Sequence, residues 1–568
     1  MNGSPRDLIR DLWLASSTGS RMLVDDPAHA IVQAARRLRV GRGLPPRGPA
    51  AWQALMAHLA DHPDEAATLL AEWSAARNGR TALDRLAVSV AVARGLPDLI
   101  PDGLLAARDQ ARLRLQAGDF SGALAALPAD SPLARRIASD RKAMTAGVQL
   151  DPGSRQPISP IANRVLHMLT NSLPHTQSGY TRRSHAIMGA LTAAGWDVQG
   201  VTRLGYPASI GRLGVPSLEV VDGVPTHRLL PWKQPDTLMG KLNEQADLVT
   251  NLVHEFRPQI LHTTTDHTNA MVAREVAART GLPWIYEMRG QLEYTWLASR
   301  PAWAADEAAT SERLSLQRDR ETELALAADE VVVLSEVQRK DLIDRGVPAS
   351  KITLVPNAVD EGLLTKNVTP HEARSSLGMP VEGLWLGAAS SVVEYEGFDV
   401  AIRATAILRE RGIDARCIIV GDGTALPGLR QLAEDQKIAQ WCHFPGREGR
   451  SRSITWVQAL DVVVVPRRDT LVCRLVTPLK PVEAMALRRP VVASNLPALA
   501  ELLADGRGTL VPPGDPEALA DAVVTHGSID SEARTQAQNH AWEWASSRTW
   551  TLSAEIYAQL YSRYGGRS

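Results

Sequence analysis

The spacing of apolar residues changes once along the chain. Up to about residue 150 they recur at helical spacing, as over 66–77 and 104–116, which predicts amphipathic helices. Residues 106–127 read as one helical hairpin of a tetratricopeptide type, punctuated at Gly118, with no second copy at a fixed period. Residues 1–150 are expected to form an all-α accessory domain, for packing or for contact with a protein partner. Residues 151–160, DPGSRQPISP, have the composition of a linker.

Beyond it, short β-branched runs alternate with amphipathic stretches. Strands are predicted at 165–169, 197–201, 259–261, 284–286, 329–334 and 351–355, then at 384–388, 417–420, 461–465 and 490–494. Helices are predicted at 181–194, ended by Gly195, and at 398–411, ended by Gly412. Ser335 and Gln338 predict a capping box that starts another helix, closed by Gly346. This alternation is the signature of a parallel α/β architecture. The simplest arrangement is two doubly wound, Rossmann-like domains, 161–360 and 361–530, facing each other across a cleft. The chain crosses between them at 356–360, and helices in 531–568 pack back on the first. Ligands are then expected at the C-terminal ends of the strands.

Composition narrows the function. The 568 residues are 44% hydrophobic and 22% charged, an ordinary globular balance. Lys plus Arg (62) and Asp plus Glu (63) nearly cancel, so no global basic field exists to hold nucleic acid, and an anionic ligand needs local geometry. Cys417, Cys442 and Cys473 fit neither a zinc cluster nor a disulfide framework, and a reducing cytoplasm is the expected location. The N-terminus, MNGSPRDLIRDLW, carries charges on both sides of its short apolar run, unlike a signal peptide. No apolar run approaches the roughly 18 residues of a spanning helix. Peripheral contact with the inner face of a membrane stays open.

The segment 476–486, VTPLKPVEAMA, carries the most chemistry. Thr477 suits an N-cap and Pro478 the first helical position. Lys480 would then lie in the first turn, where the helix dipole disfavours a cation, which suggests that an anion docks there. Glu483, three residues on, shares its face and is placed to accept from a ribose diol. A surface Lys–Glu pair is the plainer alternative.

Residues 477–486 resemble the C-terminal signature of family-4 glycosyltransferases of the GT-B fold, in which the Glu of a Glu-Ala-Met-Ala run holds the nucleotide ribose. LVPNAVD at 354–360 is similar to the family's interdomain crossing. SSVVEYEG at 390–397 is similar to the first loop of its nucleotide domain. IVGDG at 419–423 and FPGR at 444–447 are similar to the next two elements. The resemblance covers roughly 160–565. It implies a retaining sugar transfer from a nucleotide diphosphate sugar, UDP- or GDP-linked, to a glycan or lipid-linked hydroxyl acceptor. No further cofactor is implied. The sequence departs from the family at three places. Ser390 and Glu396 stand where an Arg and a Lys are usual, and Leu475 where the first of two paired glutamates is usual. Arg467, Arg468 and Lys480, with Arg474 behind them, are the replacement candidates for the diphosphate contacts, since arginine matches phosphate geometry.

Other candidates lie at strand ends. Gly179 precedes a helix and either lets the backbone approach a phosphate or simply turns the chain. Arg182 and Arg183, which start that helix, either touch an anionic acceptor or face solvent, and solvent is the expected face. The family often keeps a histidine after the strand at 259–261, and either His262 or His267 could match it; a core or loop histidine is the plainer alternative. Glu287 and Arg289 are acceptor-site candidates or a structural ion pair. Gly421 ends a strand in a Gly-Asp-Gly turn. No metal-ligand spacing is found, so helix N-termini and basic side chains are expected to offset the charge of the leaving group. The rivals are a sugar-nucleotide epimerase, which needs no acceptor, and a non-catalytic nucleotide-sugar or glycan-binding scaffold.

Overall fold

The computed structural model describes residues 4–25, 30–31, 48–60, 62–76, 81–528 and 531–564. The accessory region is helical. Helices Ala50–Leu59, Pro63–Ala76 and Ala82–Arg94 share a core built on Leu55, Leu70, Trp73, Val88 and Val90. Thr81 and Asp84 form a full capping box at the start of the third, and Trp73 donates to the Asp84 carboxylate at 2.8 Å. The predicted hairpin is present as Ala107–Ala117 and Phe120–Ala125, with Gly118 left-handed between them. Residues 151–160 have no regular secondary structure, yet they are docked. Gln156 and Ile158 donate to the carbonyls of Arg279 and Thr280 at 2.8 and 3.1 Å.

The first α/β domain holds eight strands. They are β1 (Arg164–Leu169), β2 (Asp197–Thr202), β3 (Leu218–Val221), β4 (Val224–His227), β5 (Ile260–Thr264), β6 (Trp284–Glu287), β7 (Glu330–Val333) and β8 (Ile352–Leu354). Their order is β3-β4-β2-β1-β5-β6-β7-β8, parallel except for the β3–β4 hairpin. The second domain holds β9 (Leu384–Ala389), β10 (Ala415–Val420), β11 (Cys442–Gly446), β12 (Val462–Val465), β13 (Val491–Ser494) and β14 (Thr509–Val511). Their order is β11-β10-β9-β12-β13-β14, all parallel. The central strands are buried on both faces, as their unbroken runs of Val, Ile and Leu require. β3, β4, β11 and β14 add to the predicted set; they are short strands at or next to a sheet edge, whose half-exposed patterns give a weak sequence signal.

The capping box at Ser335 is only half formed. Ser335 caps the helix Glu336–Asp344, but the Gln338 side chain accepts from Leu334 N and donates to Met288 O. The two terminal helices divide between the lobes. Ser531–Ser546 packs on the second domain, while Trp550–Ser562 lies against Gly179–Ala193 of the first. Val359 pairs with Thr549 where the chain crosses out and back. Among the described residues no helix is long and apolar enough to cross a membrane.

Candidate active site

Both sheets point their C-terminal ends at one cleft of about 360 Å³. Its lining carries six cations, Arg182, Arg183, Arg289, Arg447, Arg467 and Lys480, against four carboxylates, Glu396, Asp422, Glu448 and Glu483.

On the first domain, the loop after β1 leads into the helix Gly179–Ala193. Ser178 Oγ accepts from Thr181 N, and Thr181 Oγ1 accepts from Ser178 N. This reciprocal cap fixes the helix start, and its remaining free N–H groups make that terminus electropositive. A Cβ on Gly179 would meet no atom within 4 Å, so the glycine keeps the cleft wall open there. On the second domain, Gly421 follows β10 with φ +142, and a Cβ on it would lie 1.8 Å from the Ser390 carbonyl oxygen. Gly421 therefore lets the β9 and β10 loops close on each other, with Ser390 N donating to Val420 O at 2.9 Å. Ser390 and Gly421 both line the cleft.

The Thr477 segment differs from its sequence reading. The helix runs Lys480–Ala486, with Pro481 in its first turn, and Thr477 does not cap it. The Thr477 hydroxyl is buried without a partner. Two tertiary hydrogen bonds hold the segment outside the helix: Arg467 Nη1 donates to Val476 O at 2.9 Å, and Asn357 Nδ2 to Thr477 O at 3.0 Å. Lys480 does lie on the cleft wall, 13% exposed. Its amine donates to the Glu396 carboxylate, which also accepts from Arg467 Nη2 at 2.9 Å. Burial opposes the charge on Glu396, but Arg467 and Lys480 outweigh it and hold the carboxyl at about 2. Burial pushes the Lys480 amine down, against the pull of Glu396. Two cations share one acid, leaving a net positive charge on this wall.

Glu483 lines the same cleft, one turn beyond Lys480, and accepts from Arg450 at 2.7 Å. Arg450 also reaches Asp360 at 3.2 Å, so the Glu483 carboxylate is held across the interdomain crossing. Arg468 and Arg474 do not line the cleft. They are half exposed and pair with Asp399 at 3.1 Å and Asp469 at 2.5 Å, Arg468 from the loop after β12 and Arg474 from the short helix Leu471–Leu475, whereas Arg467 turns inward to Glu396.

Of the catalytic candidates, only Arg289 reaches the cleft, donating to Tyr180 O at 2.9 Å and Ser184 Oγ at 2.6 Å. Glu287 is fully buried behind it. It accepts from Arg183 Nε at 2.7 Å, from Tyr557 at 2.8 Å and from Arg289. Burial raises its pKa, but Arg289 and Arg183 hold the carboxyl well below the usual range. Glu287 is a structural hub, with no face toward an acceptor. His262 belongs to the same buried cluster, 3.2 Å from Glu287, hydrogen-bonded to Tyr561 and stacked on His167 at 4.4 Å. His267 lies in a different cavity, next to Glu321. Neither histidine lines the cleft, so neither is placed to act on the reacting sugar.

Arg183 is 2% exposed, and it ties its helix to Val355 O and Pro356 O at 2.8 Å each. Arg182 is half-buried on the cleft wall. Neither faces solvent as expected, and Arg182 takes the cleft position that the alternative reading, contact with an anionic acceptor, called for. Sequence reasoning also missed Glu396 as the anchor of two cations. The available signal was the charge reversal at 396 together with a lysine at 480.

Two Rossmann-like lobes closing on a basic cleft define a GT-B protein. Residues 383–526 match the family described as glycosyl transferases group 1, and residues 178–358 the glycosyl transferase 4-like domain; together these spans cover more than half of the chain. The chain belongs to the family-4, group 1 glycosyltransferases. D-inositol 3-phosphate glycosyltransferase 2 of Catenulispora acidiphila is 30% identical over 255 residues, 43% of this chain and 58% of that protein. The D-inositol 3-phosphate glycosyltransferase of an Arthrobacter species is 24% identical over 402 residues, 67% of this chain and 89% of that protein. The chain spans between 43% and 59% of the length of the first three such relatives. Among solved structures, the sucrose-phosphate synthase of Thermosynechococcus elongatus superposes with a TM-score of 0.59 at 20% identity, over 71% of this chain and all of that one. Anabaena HepE, solved in complex with UDP, gives 0.52 at 19% identity, over 70% of this chain and all of that one. These likenesses concern the fold.

Proposed function

We propose that the protein moves a sugar from a UDP- or GDP-sugar to a hydroxyl of a glycan or lipid-linked acceptor, with retention at the anomeric carbon. The observation that carries this reading is that Lys480 and Glu483 share one cleft wall, with the capped start of Gly179–Ala193 opposite. The diphosphate docks against Lys480 and Arg467, which Glu396 holds in place before any ligand arrives. Such preorganised charge lowers the barrier to departure of the nucleotide diphosphate without reorganisation. Glu483 accepts from the ribose diol when it exchanges its contact with Arg450. The free N–H groups at Gly179 and the guanidinium of Arg289 face the sugar from the other lobe. Retention follows from the family resemblance, with the departing phosphate assisting attack on the same face. Closure of the lobes about 356–360 excludes water. The chain's own cations carry this scheme, so it needs no metal.

A thermal-shift panel of UDP- and GDP-sugars tests the first step, since a ligand that binds the native state raises its melting temperature. Donor turnover then separates transfer from epimerisation and from binding alone. No shift with any nucleotide sugar overturns the reading.

A further inference from the structure

A second cavity, of about 480 Å³, opens between the accessory helices and the first α/β domain. Leu115, Phe120 and Asp140 wall it from the accessory side, and His267, Arg313 and Gln317 from the other. Leu292 and Thr295 line both this cavity and the interdomain cleft, so one short helix, Leu292–Ala298, separates the two. The accessory wall is fixed in place. Arg141 pairs with Glu312 at 2.6 Å, Ser121 N donates to the same carboxylate at 2.8 Å, and Met239 N donates to Ser139 Oγ at 2.9 Å.

The lining holds buried polar groups without partners. His267, 3% exposed, has the Glu321 carboxylate 3.5 Å from its Nδ1, and its Nε2 has no hydrogen-bond partner. Gln317 is 4% exposed and its Oε1 accepts nothing. Buried polar atoms are nearly always paired, so such a cluster calls for an occupant. Burial raises the pKa of Asp140 against the pull of Arg313, and lowers that of Arg313 to about 10. Arg313 and His267 face Asp140 and Asp266, with Glu321 behind His267 at 3.5 Å, so the site carries no net positive charge. This disfavours a phosphate and favours a ligand with as many donors as acceptors. Leu115, Phe120 and Leu292 supply apolar surface for the C–H face of a sugar ring.

We propose that this cavity is an acceptor subsite for a neutral saccharide, with the accessory helices as one of its walls. The assignment rests on the glycosyltransferase reading and extends it: residues outside the family's two domains take part in choosing the acceptor.

The test uses the full chain and changes the cavity from both walls. Leu115→Trp fills it from the accessory helix, and Gln317→Leu removes a buried acceptor atom without changing charge. Donor binding is read by titration with UDP- and GDP-sugars. Saccharide binding is read by saturation-transfer NMR with methyl glycosides of neutral hexoses and N-acetylhexosamines, in the presence of UDP or GDP. At least one glycoside should bind the wild type and weaken about tenfold or more in both variants, while donor affinity holds within about twofold. Where Leu115→Trp lowers the melting temperature, Gln317→Leu decides alone. Glycoside binding that ignores the substitutions, or a wild type that binds donor but no neutral glycoside, overturns the assignment. If no nucleotide sugar binds, the glycosyltransferase reading fails first. Glycoside binding that still responds to the substitutions would then keep the cavity as a saccharide site.

Discussion

The amine of Lys480 and the carboxylate of Glu396 form a buried ion pair on the wall of the interdomain cleft. Arg467 shares that carboxylate at 2.9 Å. The acid stands where the family usually has a lysine, so the chain keeps a positive wall by holding two cations on one anion.

Removing Glu396 leaves both cations buried together. Glu396→Gln should lower stability by about 3–5 kcal/mol, the range for breaking a buried pair from one side. Chemical denaturation at neutral pH measures it. The pH dependence gives a second reading. The carboxyl is depressed to about 2 in the folded chain from an ordinary 4.5, so its stabilisation is present above 4.5 and is lost as pH falls toward 2. At about 1.4 kcal/mol per unit, wild type should lose roughly 3 kcal/mol more than Glu396→Gln over that window.

Donor binding separates the cleft cations from the outward ones. Lys480→Ala and Glu483→Ala should each weaken UDP- or GDP-sugar binding by about ten- to a hundredfold, as for loss of one charge-assisted hydrogen bond of about 1.5–3 kcal/mol. Arg468→Ala and Arg474→Ala should leave it within about twofold, because both side chains point away from the cleft. Calorimetric titration decides. Equal losses from all four would move the diphosphate site.

Two glycines should respond in opposite ways. Gly421→Ala puts a Cβ 1.8 Å from the Ser390 carbonyl oxygen at φ +142, and should cost more than about 2 kcal/mol of stability through clash and backbone strain. Gly179→Ala meets open space and should keep or slightly raise stability, by up to about 1 kcal/mol. Gly179→Leu should fold as well yet obstruct the cleft and lower transfer. Melting curves and a donor-turnover assay report the contrast.

Glu293 gives a slope of the other sign. It is buried beside Arg345 at 3.0 Å, and burial raises its pKa to about 7 from 4.5. A raised folded pKa contributes stability that is full below 4.5 and lost as pH rises through 7. Unfolding free energy of the wild type should therefore fall across that interval relative to Glu293→Gln, by roughly 2–4 kcal/mol. Parallel profiles would show that Glu293 stays ionised throughout.

The sequence by itself determined the α/β plan. Runs such as Val462–Val465 are apolar on every residue because both faces of a parallel strand are covered, and local propensity carries that information without knowledge of neighbours. It also placed Lys480, Glu483, Gly179, Ser390, Gly421 and Arg467 on one cleft, because strand C-terminal ends converge in this fold. Tertiary structure decided the rest. Thr477 looks like a cap, but Arg467 and Asn357 draw its segment out of the helix through bonds of long sequence separation. Glu287, Arg289 and His262 look alike as charged or polar groups at strand ends; Tyr557, Tyr561 and Arg183, from distant helices, bury the first and third and leave Arg289 at the cleft. Which way a side chain faces at a strand end is set by what packs over it, and that depends on partners that no local pattern names.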